Sequence, residues 1–117
     1  MYDHIGLKVK DLDRSASFYE AALAPLGLGL CYKDETWRGF GVKQPGLFLS
    51  QGPAAQGVHV AFTASSRAAV DRFHQAGLDA GGHDNGKPGP RPDYGPTYYA
   101  AFLIDPDGNN VEAVCVK

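Results

Sequence analysis

The chain holds only two cysteines, Cys31 and Cys115, far apart and in no paired motif. A disulfide framework needs more cysteines and a redox or metal motif needs closer spacing, so both read as reduced packing residues of a cytoplasmic protein. Long apolar runs are missing too: none approaches the roughly 18 residues of a membrane span, and no membrane partner is expected. The opening residues pass directly into a strand pattern with no basic stretch before an apolar one, so no secretory signal is expected. Charge of one sign is also lacking. Eleven Lys and Arg against thirteen Asp and Glu give a net charge of −2 without a basic cluster, which removes the electrostatic footprint of a nucleic-acid binder.

What is present is an ordinary globular composition, 44% hydrophobic and 21% charged. A chain of 117 residues is expected to form one domain. Within it a segment is written twice. His4-Ile5-Gly6-Leu7-Lys8-Val9 opens the first copy and His59-Val60-Ala61-Phe62-Thr63-Ala64 the second, 55 positions later; the same offset carries Phe18 onto Phe73 and Tyr19 onto His74. Such self-similarity marks repeated supersecondary units. The modules are expected at about residues 1–55 and 56–117, each too small to bury a core alone.

Both modules read β-α-β-β-β, an α+β arrangement. Alternation over residues 2–9 predicts a strand with Ile5, Leu7 and Val9 on one face and His4, Gly6 and Lys8 on the other. Asp11 or Asp13 can cap a helix over 15–23, closed by Pro25 and Gly27. Short strands are expected over 29–33, 37–42 and 47–51. In the second module a strand over 58–64 precedes a helix capped by Ser65 or Ser66 and running to Ala76. The Gly- and Pro-rich stretch 80–96 predicts a loop around one short strand, able to act as a lid. Strands over 98–104 and 110–116 follow, joined by an Asp-Pro-Asp-Gly turn. Matching the Pro45-Gly46 turn to Asp107-Gly108 makes Ser50 the expected counterpart of Glu112.

Side-chain parity supplies the candidate site. His4, His59 and Glu112 each stand opposite in sense to the apolar residues of their strands, and those apolar sets must meet the helices. The three polar groups are therefore expected on the concave face away from the helices, where a divalent metal would compensate them. A lone strand histidine is ordinarily just hydrogen-bonded or exposed; repetition and a matching carboxylate make these two candidates. His74 is expected on the solvated side of its helix. Concave strand positions Lys8, Gln51, Thr63 and Tyr98, with Arg91 from the long loop, are expected to bind substrate. Tyr94 and Tyr99 are candidate acid-base groups beside Glu112.

The motifs Asp3-His4-Ile5-Gly6-Leu7-Lys8-Val9, Ser17-Phe18-Tyr19, Gly57-Val58-His59-Val60-Ala61-Phe62 and Phe102 through Glu112 resemble the vicinal oxygen chelate superfamily. That superfamily includes glyoxalase I, bleomycin- and fosfomycin-resistance proteins and extradiol dioxygenases. The resemblance covers nearly the whole chain and is similar to a bacterial glyoxalase-like branch. It implies two paired βαβββ modules forming a cupped mixed sheet with helices on the outer face. It also implies metal ligands at His4, His59 and Glu112, a divalent ion (Zn, Mn, Fe or Ni), a small oxygenated substrate, and a homodimer in which His4 of one subunit joins His59 and Glu112 of the other. Glyoxalase I uses a fourth ligand, a carboxylate on the fourth strand. Here Leu47-Phe48-Leu49-Ser50-Gln51 contains none, which departs from that pattern. The leading expectation is a glyoxalase-type lyase or isomerase. The alternatives are a metal-free drug-binding protein of the bleomycin-resistance type and, third, an extradiol-type dioxygenase.

Overall fold

A computed structural model describes residues 1–117. In the first module strand β1 (Ile5–Val9) leads into helix α1 (Leu12–Leu23) and strands β2 (Gly29–Lys33), β3 (Trp37–Gly41) and β4 (Pro45–Gln51). The second module repeats the order with β5 (His59–Thr63), α2 (Arg67–Asp79), β6 (His83–Pro90), β7 (Tyr99–Ile104) and β8 (Asn110–Cys115). The strands form two four-stranded sheets, ordered β1-β4-β3-β2 and β5-β8-β7-β6. Each first strand runs parallel to the last strand of its module and forms a sheet edge; the other pairings are antiparallel. The paired βαβββ architecture is as expected, but no strand of one sheet is hydrogen-bonded to the other.

Local sequence accounts for the helices. Asp11 caps α1, its carboxylate accepting from the Arg14 amide at 3.1 Å, and Ser66 caps α2 by accepting from the Ala69 amide at 3.1 Å. Both side chains satisfy amides that the first turn leaves without a partner. Helix α1 starts earlier than expected because Leu12 joins its buried face with Ser15, Phe18, Tyr19, Ala22 and Leu23. Each helix packs on its own sheet and on the other helix. Nineteen buried residues from both modules merge into one hydrophobic cluster. At Gly77 a Cβ would lie 2.2 Å from Leu103 Cδ1, so only glycine lets α2 approach β7 this closely.

The turn between β7 and β8 joins the modules. Asp105 and Asn109 are fully buried polar residues. The Tyr19 hydroxyl, from α1, donates to Asp105 Oδ2 at 2.6 Å, and the Asp107 and Asn109 amides both donate to Oδ1 at 2.9 Å. Asn109 holds the segment entering β5: its Nδ2 donates to the Ala55 carbonyl at 2.9 Å, and its Oδ1 accepts from the Val58 amide at 3.1 Å. The turn thus fixes where His59 begins its strand.

The strand expected within the 80–96 stretch is present and runs over eight residues, β6. Residues 83–90 pair antiparallel with β7 despite two register shifts. Proline is compatible with an edge strand, whose outer N–H groups need no ladder partner, so the strand extends through Pro88 and Pro90. The remaining turn is closed by hydrogen bonds between Arg91 and Tyr98, Tyr94 and Gly95.

Candidate functional site

The outward face of the second sheet carries a polar cluster. Glu112 is 2% exposed, yet its strand neighbours Val111, Ala113 and Cys115 belong to the hydrophobic cluster on the opposite face. His59 Nε2 lies 2.8 Å from Glu112 Oε1, and the Tyr98 hydroxyl donates to Oε2 at 2.5 Å. Both carboxylate oxygens are therefore engaged. The His59 side chain remains 52% exposed, so its ring roofs the buried acid and faces solvent. The hydrogen bond to Glu112, then burial and the carboxylate charge, push the Tyr98 hydroxyl up to about 12. Tyr98 consequently stays protonated and donating at neutral pH. Phe102, cross-strand from Glu112, places its ring 6.3 Å from that of His59, and the Arg91 guanidinium stands 5.4 Å above the Phe102 ring.

His4 lies elsewhere, on the outward side of the first sheet. Its Nδ1 is 2.6 Å from Asp3 Oδ1, and its ring stands edge-on to Phe48 at 5.4 Å. Within one chain no three His, Cys, Asp or Glu side chains gather as a metal-binding group. The expected triad is therefore divided, with His59 and Glu112 on one sheet and His4 on the other. The parity argument located the correct faces, but it could not tell that the two sheets stay separate.

The other expected residues divide by parity. Lys8 and Thr63 share the outward faces with His4 and His59 and are exposed. Tyr98 contacts Glu112 directly, and Tyr94 meets it only through the Tyr98 ring, 5.3 Å away. Two residues face the wrong way. The Tyr99 hydroxyl donates to Asp71 of α2 at 2.6 Å, because consecutive strand residues point to opposite faces; it is not beside Glu112. Gln51 shares the inward side of β4 with Leu47 and Leu49 and accepts from the Leu12 amide at 3.4 Å. Arg91 spends its guanidinium on the carbonyls of Lys87, Gly89 and Pro90. His74 is 7% exposed rather than solvated, 2.8 Å from Asp84.

The register also corrects the repeat. Gly6 pairs with Phe48, and its counterpart Ala61 pairs with Glu112. Phe48, not Ser50, therefore occupies the position of Glu112 in the first module. Around it stand Gly6, expected on this face of β1, and two residues not among the site candidates, Tyr32 and Trp37; with His4 and Phe48 they line a cavity of about 480 Å³. Extending the parity test from β1 across the neighbouring strands would have found them.

Residues 2–113 match the Glyoxalase/Bleomycin resistance protein/Dioxygenase superfamily. The chain belongs to that superfamily. A solved glyoxalase/bleomycin resistance protein from Albidiferax ferrireducens is 31% identical over 98% of both chains, with a TM-score of 0.82. A glyoxalase I mutant from Zea mays is 27% identical over 96% of this chain but only 45% of its own, with a TM-score of 0.74. A putative glyoxalase from Bacillus halodurans, 24% identical with a TM-score of 0.75 over 98% of this chain and 95% of its own, shares the fold. No curated protein matches the chain significantly. No helix is long and apolar enough to cross a membrane.

Proposed function

We propose that the chain is a cytoplasmic, glyoxalase-like enzyme working as a homodimer. In this reading His59 and Glu112 of one protomer meet His4 of the other around a divalent metal, which takes a small substrate through adjacent oxygens. The observation that carries it is the buried Glu112 held against exposed His59 on an outward sheet face. Imidazole nitrogen and carboxylate oxygen 2.8 Å apart are a donor set that suits Zn, Mn, Fe or Ni. Both histidines lie at exposed edge strands, β1 and β5, whose open sides invite association with another chain. The Zea mays glyoxalase I is long enough to hold a second unit of this size, which fits a site built from two modules of different origin.

When bound, such an ion supplies Lewis-acid polarisation of the substrate oxygens. The protein's own groups do the positioning. Tyr98 holds Glu112 in one orientation by donating its proton to Oε2. The Phe102 ring flanks the His59 ring at 6.3 Å. Outer partners of this kind set ligand orientation and affinity. A second reading, metal-free binding of a small molecule, is favoured by the three aromatic residues Tyr32, Trp37 and Phe48 that line the first-module cavity.

The test is metal content together with subunit mixing. One ion per protomer is expected, and Glu112→Ala should abolish it. His4→Ala and His59→Ala should each lose the ion alone, but their mixed dimers should regain about a quarter of the sites, because random pairing makes half the dimers mixed and each has one intact site. Full metal content in Glu112→Ala, or no recovery on mixing, would refute the shared centre.

A further inference from the structure

The two modules share a register but not a chemistry. Where the second module has Ala61, Glu112 and Phe102 across its sheet, the first has Gly6, Phe48 and Gly39. Two glycines thus flank one aromatic ring. A Cβ at Gly6 would meet no atom within 4 Å, and the residue has no left-handed backbone that would demand glycine. Glycine within a strand weakens it and often marks where a ligand comes close. Neither backbone conformation nor packing requires Gly6, so its missing side chain serves the open space above it.

That space has aromatic walls. Tyr32, Trp37 and His4 all stand edge-on to Phe48, at 6.2, 5.9 and 5.4 Å. Asp34 fixes two of the walls: Oδ2 accepts from the Tyr32 hydroxyl at 2.7 Å, and Oδ1 from the Trp37 amide at 2.7 Å. Lys8 lies two residues beyond Gly6 on the same face, its Nζ 5.9 Å from the centre of the Trp37 ring. None of the four ion pairs of the chain includes it. The cavity, about 480 Å³, falls in the range of small-molecule pockets.

We propose that this face seats the ring of a planar aromatic anion, with Gly6 as the floor that admits the ring and Lys8 as the cation that meets the acidic group. The assignment deepens the function proposed above, on which it rests for treating this face as part of the working site. It names the substrate class as an aromatic skeleton carrying an anionic group.

Trp37 is the only tryptophan, so its emission reads this pocket directly. The probe is 2-naphthoate, added to the full-length protein, with calorimetry alongside. Saturable binding with a change in Trp37 emission is expected. Cyclohexanecarboxylate, which lacks the aromatic ring, should bind about tenfold more weakly. Gly6→Ala should weaken binding and Gly6→Val abolish it without lowering the melting temperature. Lys8→Met should weaken 2-naphthoate about tenfold while leaving neutral 2-naphthol unchanged. Binding should persist in Glu112→Ala, so a missing metal centre and a missing aromatic site give different results. The proposal is overturned if 2-naphthoate does not bind, if the alicyclic acid binds equally, or if Gly6→Val binds normally. Loss of binding in Glu112→Ala, or none in Lys8→Met, also overturns it.

Discussion

Replacing Tyr19 with Phe removes a single oxygen atom from the contact that ties the modules together. The ring packing is retained, since Phe18 stands edge-on at 5.0 Å and Phe40 lies 6.5 Å away regardless of the hydroxyl. What is lost is a 2.6 Å donation to Asp105 Oδ2. Asp105 Oδ1 keeps two amides, but Oδ2 is left with only the Asn109 side chain at 3.4 Å. A hydrogen bond to a charged group contributes about 1.5–3 kcal/mol, and the burial of Asp105 puts Tyr19→Phe toward the upper half. For a chain of this size that is roughly 4 °C per kcal/mol, so melting should fall by about 8–12 °C. Burial and the neighbouring Asp105 charge push the Tyr19 hydroxyl far above its usual range, so it remains a donor throughout the accessible pH range. Urea unfolding at fixed protein concentration is the assay, with Asp105→Asn completing a double-mutant cycle. A loss below about 0.5 kcal/mol for Tyr19→Phe, or strict additivity in the cycle, would refute the view that this bond couples the modules.

Three other changes follow from specific contacts. Tyr98→Phe leaves Glu112 Oε2 without its donor and should weaken metal binding about 10- to 100-fold, as read by competition with a chelating dye; unchanged affinity would remove Tyr98 from the centre. Gly77→Ala forces a Cβ to 2.2 Å from Leu103 Cδ1, and shifting that side chain should cost about 1–3 kcal/mol in urea unfolding. The Tyr32 hydroxyl first, then the Trp37 and Thr36 amides, hold the Asp34 carboxyl below its usual range. A depressed acid contributes fully above its unfolded value and loses its contribution as pH falls through the folded one. Trp37 emission should accordingly hold down through the usual carboxylate range and shift only below it, whereas Asp34→Asn should show altered emission at neutral pH and no acid step.

Much of the architecture was legible because it depends on local rules. Alternation in β1 and β5, the caps at Asp11 and Ser66, and the turn at Asp107-Gly108 each act within a few residues, and together they spell two βαβββ units. The juxtaposition of His59 with Glu112 was legible for the same reason: parity on two strands brings them to one face. The failures are non-local. A short strand was expected within 80–96, but the length of β6 was hidden by Gly86, Pro88, Gly89 and Pro90, which pairing with β7 and two register shifts accommodate. Ser50 was mistaken for the counterpart of Glu112 because Pro45 and Gly46 lie inside β4 whereas Asp107 and Gly108 lie in the turn before β8, so matching the two pairs displaces the alignment along β4. The separation of His4 from the other candidate ligands depends on how two sheets are placed, which no strand pattern encodes; it is in keeping with the shared dimer site that the family resemblance implied.

The pseudo-symmetry itself argues for a division of labour. Duplicated modules begin with equal potential at each register position, so a difference at equivalent positions needs a physical reason. Backbone packing does not demand the difference at Gly6, where a side chain would meet nothing. Nor does core stability, since Phe48 and Glu112 both lie on outward faces, away from the shared hydrophobic cluster. The second module concentrates a buried carboxylate, an imidazole and a phenol within hydrogen-bonding reach. The first places rings around an open floor beside another imidazole. A polar face can orient oxygen atoms but gains little from a carbon skeleton; an aromatic face does the reverse. A ligand carrying both chemistries would use one face of each kind. Within a single chain those faces belong to separate sheets, and two protomers meeting through β1 and β5 would bring one of each together.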